Sequence, residues 1–277
     1  MSSDAAASKP TTVGDATSAA VAASAATAGG GRAASAAPLL RVQGLAKHFG
    51  AFRALDGVSF DVMPGEVLGL VGPNGSGKTT CINVITGLYR PDGGSILYQG
   101  RPVGGMAAHR LVHQGINRSF QIPKPFKTLT VRQNVEVART YGQHGGGANA
   151  DTGIGELLRF LDLEPHADRY AGELTSAQQK MLDLARALAT RPKLLCVDEL
   201  GAGLNPAELD LVAGRLRELA RSGIALLVVE HLMDFVDQVT DRLIVLSAGK
   251  NLFEGTLSQA VQDPRVVEVF LGAPDEH

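Results

Sequence analysis

The stretch EVLGLVGPNGSGKTT, residues 66–80, decides how the rest of the chain is interpreted. Its apolar part, residues 67–71, predicts a short buried strand. Residues 72–79 fit the phosphate-loop pattern G-x-x-x-x-G-K-[ST], and a helix is predicted over residues 80–88. Because a strand before the pattern and a helix after it are the context that supports it, the stretch predicts a site for the phosphates of a nucleotide.

The residue types in this loop suit an anion. Glycines allow sharp turns and bring backbone N–H groups close to a phosphate. The start of the following helix adds unpaired N–H groups and a partial positive charge. Lys78 can reach the β- and γ-phosphates, and the Thr79 hydroxyl can ligate Mg²⁺. A plain glycine-rich turn is the alternative, and the flanking strand and helix disfavour it.

The composition of the 277 residues restricts the class of protein. Hydrophobic residues make up 44% and charged residues 19%, which predicts a sizeable core in one large or two modest domains. A net charge of −2 and the absence of tryptophan argue against nucleic acid as a partner. No apolar run approaches transmembrane length, so membrane contact is predicted to be through a partner. Cys81 and Cys196 lack metal-ligand spacing and are predicted to be buried thiols.

The chain divides by composition into three parts. Residues 1–37 are nearly all Ala, Ser, Thr and Gly, which predicts a disordered tail and a poor signal peptide; a start codon placed too far upstream would explain them equally well. Residues 38–272 are predicted to form the folded domain and 273–277 a short tail. Alternating strands and helices in the last third predict a parallel α/β sheet, whereas residues 122–175 are predicted to form an inserted helical subdomain.

A second motif supplies acidic groups. The sequence KLLCVDE, residues 193–199, is an apolar strand that ends in two carboxylates. Asp198 at the strand end can bind Mg²⁺ or its water. Glu199 can point at an attacking water and act as general base. A solvated acidic turn is the alternative, and the phosphate loop elsewhere in the chain favours the metal site.

Two further polar residues carry weaker signals. His231 follows the apolar strand IALLVVE and can contact a γ-phosphate, although a lone histidine at a strand end is more often structural. Gln121 follows INRSF, and its amide can ligate Mg²⁺ and orient water. Neither residue would indicate a site by itself.

Taken together, these motifs resemble those of one family, the ATP-binding subunits of ABC transporters. LTSAQQKMLDLARAL (174–188), LLCVDE (194–199), GAGLNP (201–206) and VVEHLMDFV (228–236) follow the phosphate loop in the family's order. The resemblance covers about residues 39–272. It implies a phosphate-loop NTPase fold with a mainly parallel sheet, an antiparallel N-terminal β subdomain and an inserted helical subdomain.

The resemblance also implies roles for single residues. Gln121 is the Q-loop glutamine, Asp198 the Walker B aspartate, Glu199 the catalytic base and His231 the switch histidine, with Lys78 also in the catalytic set. Residues 203–205 match the D-loop. The metal ligands are Thr79, Gln121 and Asp198. The residues that bind ATP are Phe49 (stacked on adenine), Gly72, Pro73, Asn74, Gly75, Ser76, Gly77, Lys78, Thr79, Thr80, Ser176 and Gln178.

Within the family the chain looks like the ATPases of branched-chain amino acid importers, through INRSFQIPKPFKTLTVRQNVEVA (116–138), GAGLNPAE (201–208) and VVEHLMDFV. Urea-type importer ATPases carry similar strings. The implied partners are a second ABC ATPase, identical or different, two permease subunits and, indirectly, a periplasmic binding protein. The implied place is the cytoplasmic face of the inner membrane. A soluble ABC ATPase of DNA repair or translation is disfavoured, because tandem cassettes and long coiled coils are absent from the sequence.

Two positions depart from the family pattern. The signature motif, usually L-S-G-G-Q, is LTSAQ here, and Ala177 adds a Cβ where a glycine would let the opposite subunit's nucleotide approach closely. The signature face is therefore predicted to be the weaker of two composite sites, which also keeps open a regulatory, weakly hydrolysing subunit. Leu200 replaces the proline that commonly follows the catalytic glutamate and is predicted to alter only the turn.

Overall fold

Strands and helices alternate along most of the part that the computed structural model describes, namely residues 37–120, 122–142 and 152–271. The strands are β1 (Leu40–Phe49), β2 (Phe52–Val62), β3 (Val67–Val71), β4 (Gly93–Tyr98), β5 (Arg101–Pro102), β6 (Ile116–Arg118), β7 (Leu194–Asp198), β8 (Ala225–Val229), β9 (Arg242–Ser247) and β10 (Lys250–Gly255). The helices are α1 (Lys78–Ile85), α2 (Ala108–Gln114), α3 (Val131–Gly142), α4 (Thr152–Phe160), α5 (Ser176–Ala189), α6 (Pro206–Arg221), α7 (Met233–Val239), α8 (Leu257–Ala260) and α9 (Pro264–Leu271).

The larger sheet has the strand order β10-β9-β3-β8-β7-β6 and is parallel except for β10. Every residue of β3, β7 and β8 is buried, as expected for strands with both faces covered. In the register, Leu70 and Asp198 both lie opposite Val229. The carboxyl ends of these three strands therefore meet at one edge of the sheet.

The smaller sheet is antiparallel and has the order β2-β1-β4-β5. It includes the long N-terminal hairpin of β1 and β2, whose register is interrupted at three points along β1. β4 and β5 pair farther along the chain, after the phosphate loop and α1. The predicted antiparallel β subdomain is thus present, and it continues past the phosphate loop in sequence.

The two faces of the central strand β3 contribute to different cores. Val67 packs in a cluster with Leu158 and Leu182, which belong to helices α4 and α5. Leu70 packs in a second cluster with Ile82 of α1 and with the smaller sheet. Burying both faces of β3 holds the start of the phosphate loop on a rigid support.

The predicted α/β phosphate-loop class with a mainly parallel sheet is confirmed. Two details differ. The first helix begins at Lys78 instead of residue 80, because the left-handed Gly77 (φ 106°) ends the loop directly before it. The last strand, β10, runs antiparallel, since a short hairpin returns the chain beside β9. Cys81 and Cys196 are buried free thiols, as predicted.

The segment predicted to be a helical subdomain, residues 122–175, contains α3, α4 and two short 3₁₀ turns, Glu164–His166 and Ala171–Glu173. Both α3 and α4 pack against α5. The glycine-rich sequence of residues 141–153 predicts a linker between these helices, and most of it lies outside the described residues, as do the predicted tails. Among the helices that are described, none has both the length and the apolar content needed to cross a membrane.

Candidate nucleotide-binding and hydrolysis site

The phosphate loop takes a shape that only glycine fits at two of its positions. Gly72 and Gly77 have φ values of 146° and 106°, in the region that side chains rarely adopt. A Cβ on Gly72 would collide with the carbonyl oxygen of Leu246, and one on Gly77 would lie 2.6 Å from the carbonyl oxygen of Ala54. The loop therefore lies tightly against its neighbours, and its backbone forms the rim of a cradle.

Lys78 crosses this loop. It is the first residue of α1, and its Nζ donates to the carbonyl oxygens of Gly72 (2.8 Å) and Pro73 (2.9 Å). Only 7% of the residue is exposed. Burial lowers the pKa of Lys78, and the carboxylates of Glu199 and Asp198 oppose that shift. The loop carbonyls therefore hold the Lys78 ammonium where it interacts electrostatically with the carboxylates of Asp198 and Glu199.

The other predicted loop residues differ in exposure. Asn74, Gly75 and Thr79 are exposed, Pro73 and Thr80 are half-buried, and Ser76 is buried. The Ser76 hydroxyl has no hydrogen-bond partner among the described residues. An orphaned buried hydroxyl is costly unless a ligand or water satisfies it. The loop is therefore accessible at Asn74, Gly75 and Thr79, and it contains a buried polar group without a partner at Ser76.

Asp198 ends β7 and is 2% exposed. Its Oδ2 accepts a hydrogen bond from Arg118 Nη2 at 3.1 Å, while its buried Oδ1 has no partner among the described residues. Burial raises the pKa of Asp198, and the Arg118 guanidinium opposes that rise. Divalent Mg²⁺ prefers one or two carboxylate oxygens together with phosphate oxygens. The unsatisfied carboxylate oxygen at this strand end fits such an ion.

Arg118 is a contributor that sequence reasoning missed. It ends β6, and its Nη1 donates to Asn83 Oδ1 of α1 at 2.5 Å. Its guanidinium lies 4.7 Å from the centre of the Phe120 ring. It thereby connects three elements around Asp198. The only signal in the sequence was its position three residues before Gln121.

Glu199 adopts a left-handed backbone conformation with φ 48°. Its N–H donates to the carbonyl oxygen of Val229 at 2.9 Å, which keeps it attached to β8. A non-glycine residue with this backbone is uncommon and tends to occur at functional sites. The turn at Glu199 ends the strand directly after Asp198.

His231 follows β8, and its side chain is about half exposed (54%). The preceding residue, Glu230, is fully buried, and its Oε1 accepts a hydrogen bond from Gly201 N at 2.7 Å. Burial raises the pKa of Glu230, while the N–H groups of Gly201 and His231 oppose the shift. Glu230 was not predicted as a site residue, although it lies in the string VVEHLMDFV that carries the family resemblance.

The signature residues form the start of α5. Thr175 caps the helix, and Gln178 completes a capping box through its Oε1, which accepts from Thr175 N at 3.1 Å. The Nε2 of Gln178 also lies 2.9 Å from His166 Nε2. The Gln178 amide is therefore engaged within the chain, whereas Ser176 is exposed.

Two predicted residues lie apart from these groups in sequence. Phe49 is exposed, and its ring meets Tyr89 edge to face at 5.3 Å, with Lys47 Nζ 5.5 Å from its centre. An exposed ring of this kind can still receive a flat ligand. Gln121 lies outside the described residues.

The fold therefore brings the phosphate loop, the Asp198–Glu199 pair and the Glu230–His231 pair to the adjacent ends of β3, β7 and β8. Lysine, an orphaned carboxylate oxygen and a glycine cradle are the parts that bind and polarise a triphosphate. These features define a phosphate-loop nucleoside triphosphatase.

The comparisons with known proteins identify the family. The family described as ABC transporter matches residues 55–202. A probable branched-chain amino acid transport ATP-binding protein LivG of Archaeoglobus fulgidus is 38% identical over 248 residues, 86% of this chain and 96% of that protein. BraF of Pseudomonas aeruginosa, a high-affinity branched-chain amino acid transport ATP-binding protein, is 34% identical over 85% of this chain and 98% of its own length.

Among solved structures, the ADP conformation of MJ1267, an ATP-binding cassette of an ABC transporter, superposes with a TM-score of 0.78 at 35% identity. The alignment covers 86% of this chain and all of that one. The chain belongs to the ATP-binding subunits of ABC transporters, as predicted. It is a nucleotide-binding protein and a transport-coupled ATPase.

Proposed function

We propose that this chain is the ATP-hydrolysing subunit of an importer for branched-chain amino acids. The observation that supports hydrolysis is the position of Lys78, at the start of α1, near the Asp198 and Glu199 carboxylates at the end of β7, with one oxygen of Asp198 unsatisfied among the described residues. The names of the relatives, which are 34–38% identical over most of the chain, support the substrate class.

In this proposal the chain's own groups position ATP and water. The phosphate-loop N–H groups and Lys78 bind the β- and γ-phosphates, and Glu199 orients the water and accepts its proton. His231 donates a hydrogen bond to the γ-phosphate. Thr79, Asp198 and Gln121 would hold Mg²⁺, which neutralises phosphate charge when bound.

The proposed partners complete the site and provide the transport path. A second ABC ATPase, identical or different, places its signature residues over the nucleotide, and this chain's Ser176 and Gln178 serve the opposite site. Two permease subunits hold the pair at the cytoplasmic face of the inner membrane, and a periplasmic binding protein delivers the substrate. No nucleic acid is involved.

A groove beside the nucleotide site supports docking of a permease. It has a volume of about 260 Å³, and its lining includes Arg118, Phe120, Tyr141 and Asp183. Phe120 and Tyr141 are exposed, as is Ile122 immediately after the undescribed Gln121. Exposed apolar groups at such a groove mark an interaction surface, and a short helix of a membrane subunit would cover these side chains.

The substitution Glu199→Gln tests the hydrolytic assignment. MgATP binding is expected to persist, because the phosphate loop is unchanged, while the turnover number falls on the order of 100-fold or more. The substituted subunit should also accumulate as a closed, ATP-bound dimer. The control Lys78→Ala should lose nucleotide binding itself. If the Glu199→Gln protein hydrolysed ATP at the wild-type rate, the assignment of Glu199 as the general base would be wrong.

One observation favours a second candidate, a regulatory subunit that hydrolyses slowly. Ala177 places a methyl group in the signature helix where the family usually has glycine. ATPase assays of the purified chain with and without its membrane partners distinguish the two candidates. Uptake assays with leucine and with urea then test the substrate class.

A further inference from the structure

The loop that follows the hydrolytic strand is held by a buried lysine. Lys180 lies on α5 and is only 6% exposed. Its Nζ donates to the carbonyl oxygens of Leu200 (2.9 Å) and Glu199 (3.5 Å), and it also contacts that of Ala202 closely. Three carbonyl groups of four successive residues thus converge on one ammonium.

The same loop is held by a buried carboxylate. Glu230 is 0% exposed, and its Oε1 accepts the hydrogen bond from Gly201 N. A Cβ on Gly201 would lie 3.2 Å from this oxygen and 2.9 Å from the end of the Leu209 side chain, so a larger residue would force these side chains to shift. The carbonyl groups of the loop therefore face a cation, and its N–H group faces an anion.

The conformation held in this way is strained. Glu199 has a left-handed backbone, and such residues persist only where their surroundings over-determine them. Burying one charge of each sign is also costly unless the charges have fixed partners. Burial lowers the pKa of Lys180, and the carboxylates of Glu230 and Glu199 oppose that shift. The two charged groups thus act on one short loop.

We propose that Lys180 and Glu230 are positioning residues that clamp residues 199–202 and hold the Glu199 carboxylate in place for hydrolysis. Lys180 belongs to the helix that begins with the signature residues, four residues after Ser176. The clamp therefore connects the signature helix to the chain's own catalytic glutamate. The inference rests on the proposed role of Glu199 as the base.

The test compares three lysine variants of the full chain. Lys180→Met removes the donors while keeping the length of the side chain, Lys180→Arg keeps donors and charge, and Lys193→Met is the control at an exposed lysine. In Lys180→Met, amide hydrogen exchange in residues 199–205 should accelerate on the order of tenfold. In the assembled transporter its kcat should fall about tenfold or more, with the KM for MgATP within about threefold.

The control and the conservative variant are expected to differ from Lys180→Met in both measurements. Lys193→Met should match the wild type, and Lys180→Arg should recover part of the kcat and of the exchange protection. Glu230→Ala should accelerate exchange in the same residues, whereas Glu230→Gln, which keeps the acceptor for Gly201 N, should not.

Two results would overturn the proposal. One is unchanged exchange in residues 199–205 of Lys180→Met. The other is a general loss of stability with nucleotide affinity and kcat falling in parallel, which would make Lys180 a purely structural brace. Hydrogen exchange does not depend on hydrolysis, so a failure of the clamp is distinguishable from a failure of Glu199 as the base, which is tested by Glu199→Gln.

Discussion

At this site, Asp198 and Ser76 have buried polar atoms that lack a hydrogen-bond partner among the described residues. One carboxylate oxygen of Asp198 accepts a hydrogen bond from Arg118, and the other has no hydrogen-bond partner in the part of the chain that the structure describes. The buried hydroxyl of Ser76 also has no hydrogen-bond partner within that part of the chain. Buried polar atoms are normally paired, so such atoms at the end of a parallel sheet indicate where a ligand belongs.

Replacing Ala177 by glycine tests the prediction that the signature face is weak. Ala177 is the second residue of α5, where an alanine fits the helical backbone. Replacing it by glycine removes a methyl group that would limit the approach of a second subunit. We expect Ala177→Gly to raise ATPase turnover of the assembled complex about threefold or more. Ala207→Gly, at the second residue of α6, is the matched control for the loss of about 1 kcal/mol of helix propensity. Unchanged turnover in Ala177→Gly would contradict the hypothesis that Ala177 weakens the signature face.

At the scale of elements, the site depends on how helices begin. α1 starts directly at the left-handed Gly77 without a side-chain cap, which leaves its first N–H groups available to an anion. α5 and α6 start with complete capping boxes from Thr175 and Asn205. The helix that follows the phosphate loop thus has no side-chain cap at its start, whereas α5 and α6 are capped.

Removing the α5 cap should therefore affect stability and turnover together. Thr175→Ala loses the Oγ1 acceptor for Gln178 N (3.3 Å), and we expect the free energy of unfolding to fall by about 1 kcal/mol. Turnover should also fall, since the cap orders the signature residues. Thr256→Ala removes the same 3.3 Å bond from the four-residue α8 and should leave turnover unchanged. Denaturant titration and ATPase assays measure both quantities; equal turnover in the two variants would contradict the expectation.

At the scale of the whole molecule, the nucleotide site and the proposed docking groove share a wall. Arg118 contacts Asp198 on one side and lines the groove on the other. Asp183 of α5 accepts from Phe120 N at 2.7 Å, which fixes the groove to the signature helix. A partner that moves the groove would therefore act on Arg118, which contacts the Asp198 carboxylate.

Charged substitutions in the groove, at Tyr141, and after Phe120, at Ile122, should separate assembly from nucleotide binding. Tyr141, with 78% of its area exposed, and Ile122 contribute apolar surface that a permease helix would bury. We expect Tyr141→Asp or Ile122→Asp to abolish co-purification with the permease subunits while leaving ATP affinity unchanged. Val261→Asp, at an exposed valine after α8, should assemble normally. Normal assembly of both the Tyr141 variant and the Ile122 variant would exclude this surface.

The sequence by itself determined the strand-loop-helix around the phosphate loop, the apolar strands that end before Glu199 and His231, and the alternation of strands and helices in the last third. These features follow from local causes: apolar periodicity, glycine conformation and capping residues. It also located Lys78, Asp198, Glu199 and His231, because each follows a recognisable strand or loop.

Only the tertiary structure decided which charged groups meet. Arg118 reaches Asp198 across 80 residues, Lys180 reaches the Leu200 carbonyl across 20, and Gly201 reaches Glu230 across 29. No local pattern specifies such pairs, because the partner of a buried charge is set by which strand ends the sheet order brings together. The direction of β10 was decided in the same way, by a hairpin that pairs it beside β9.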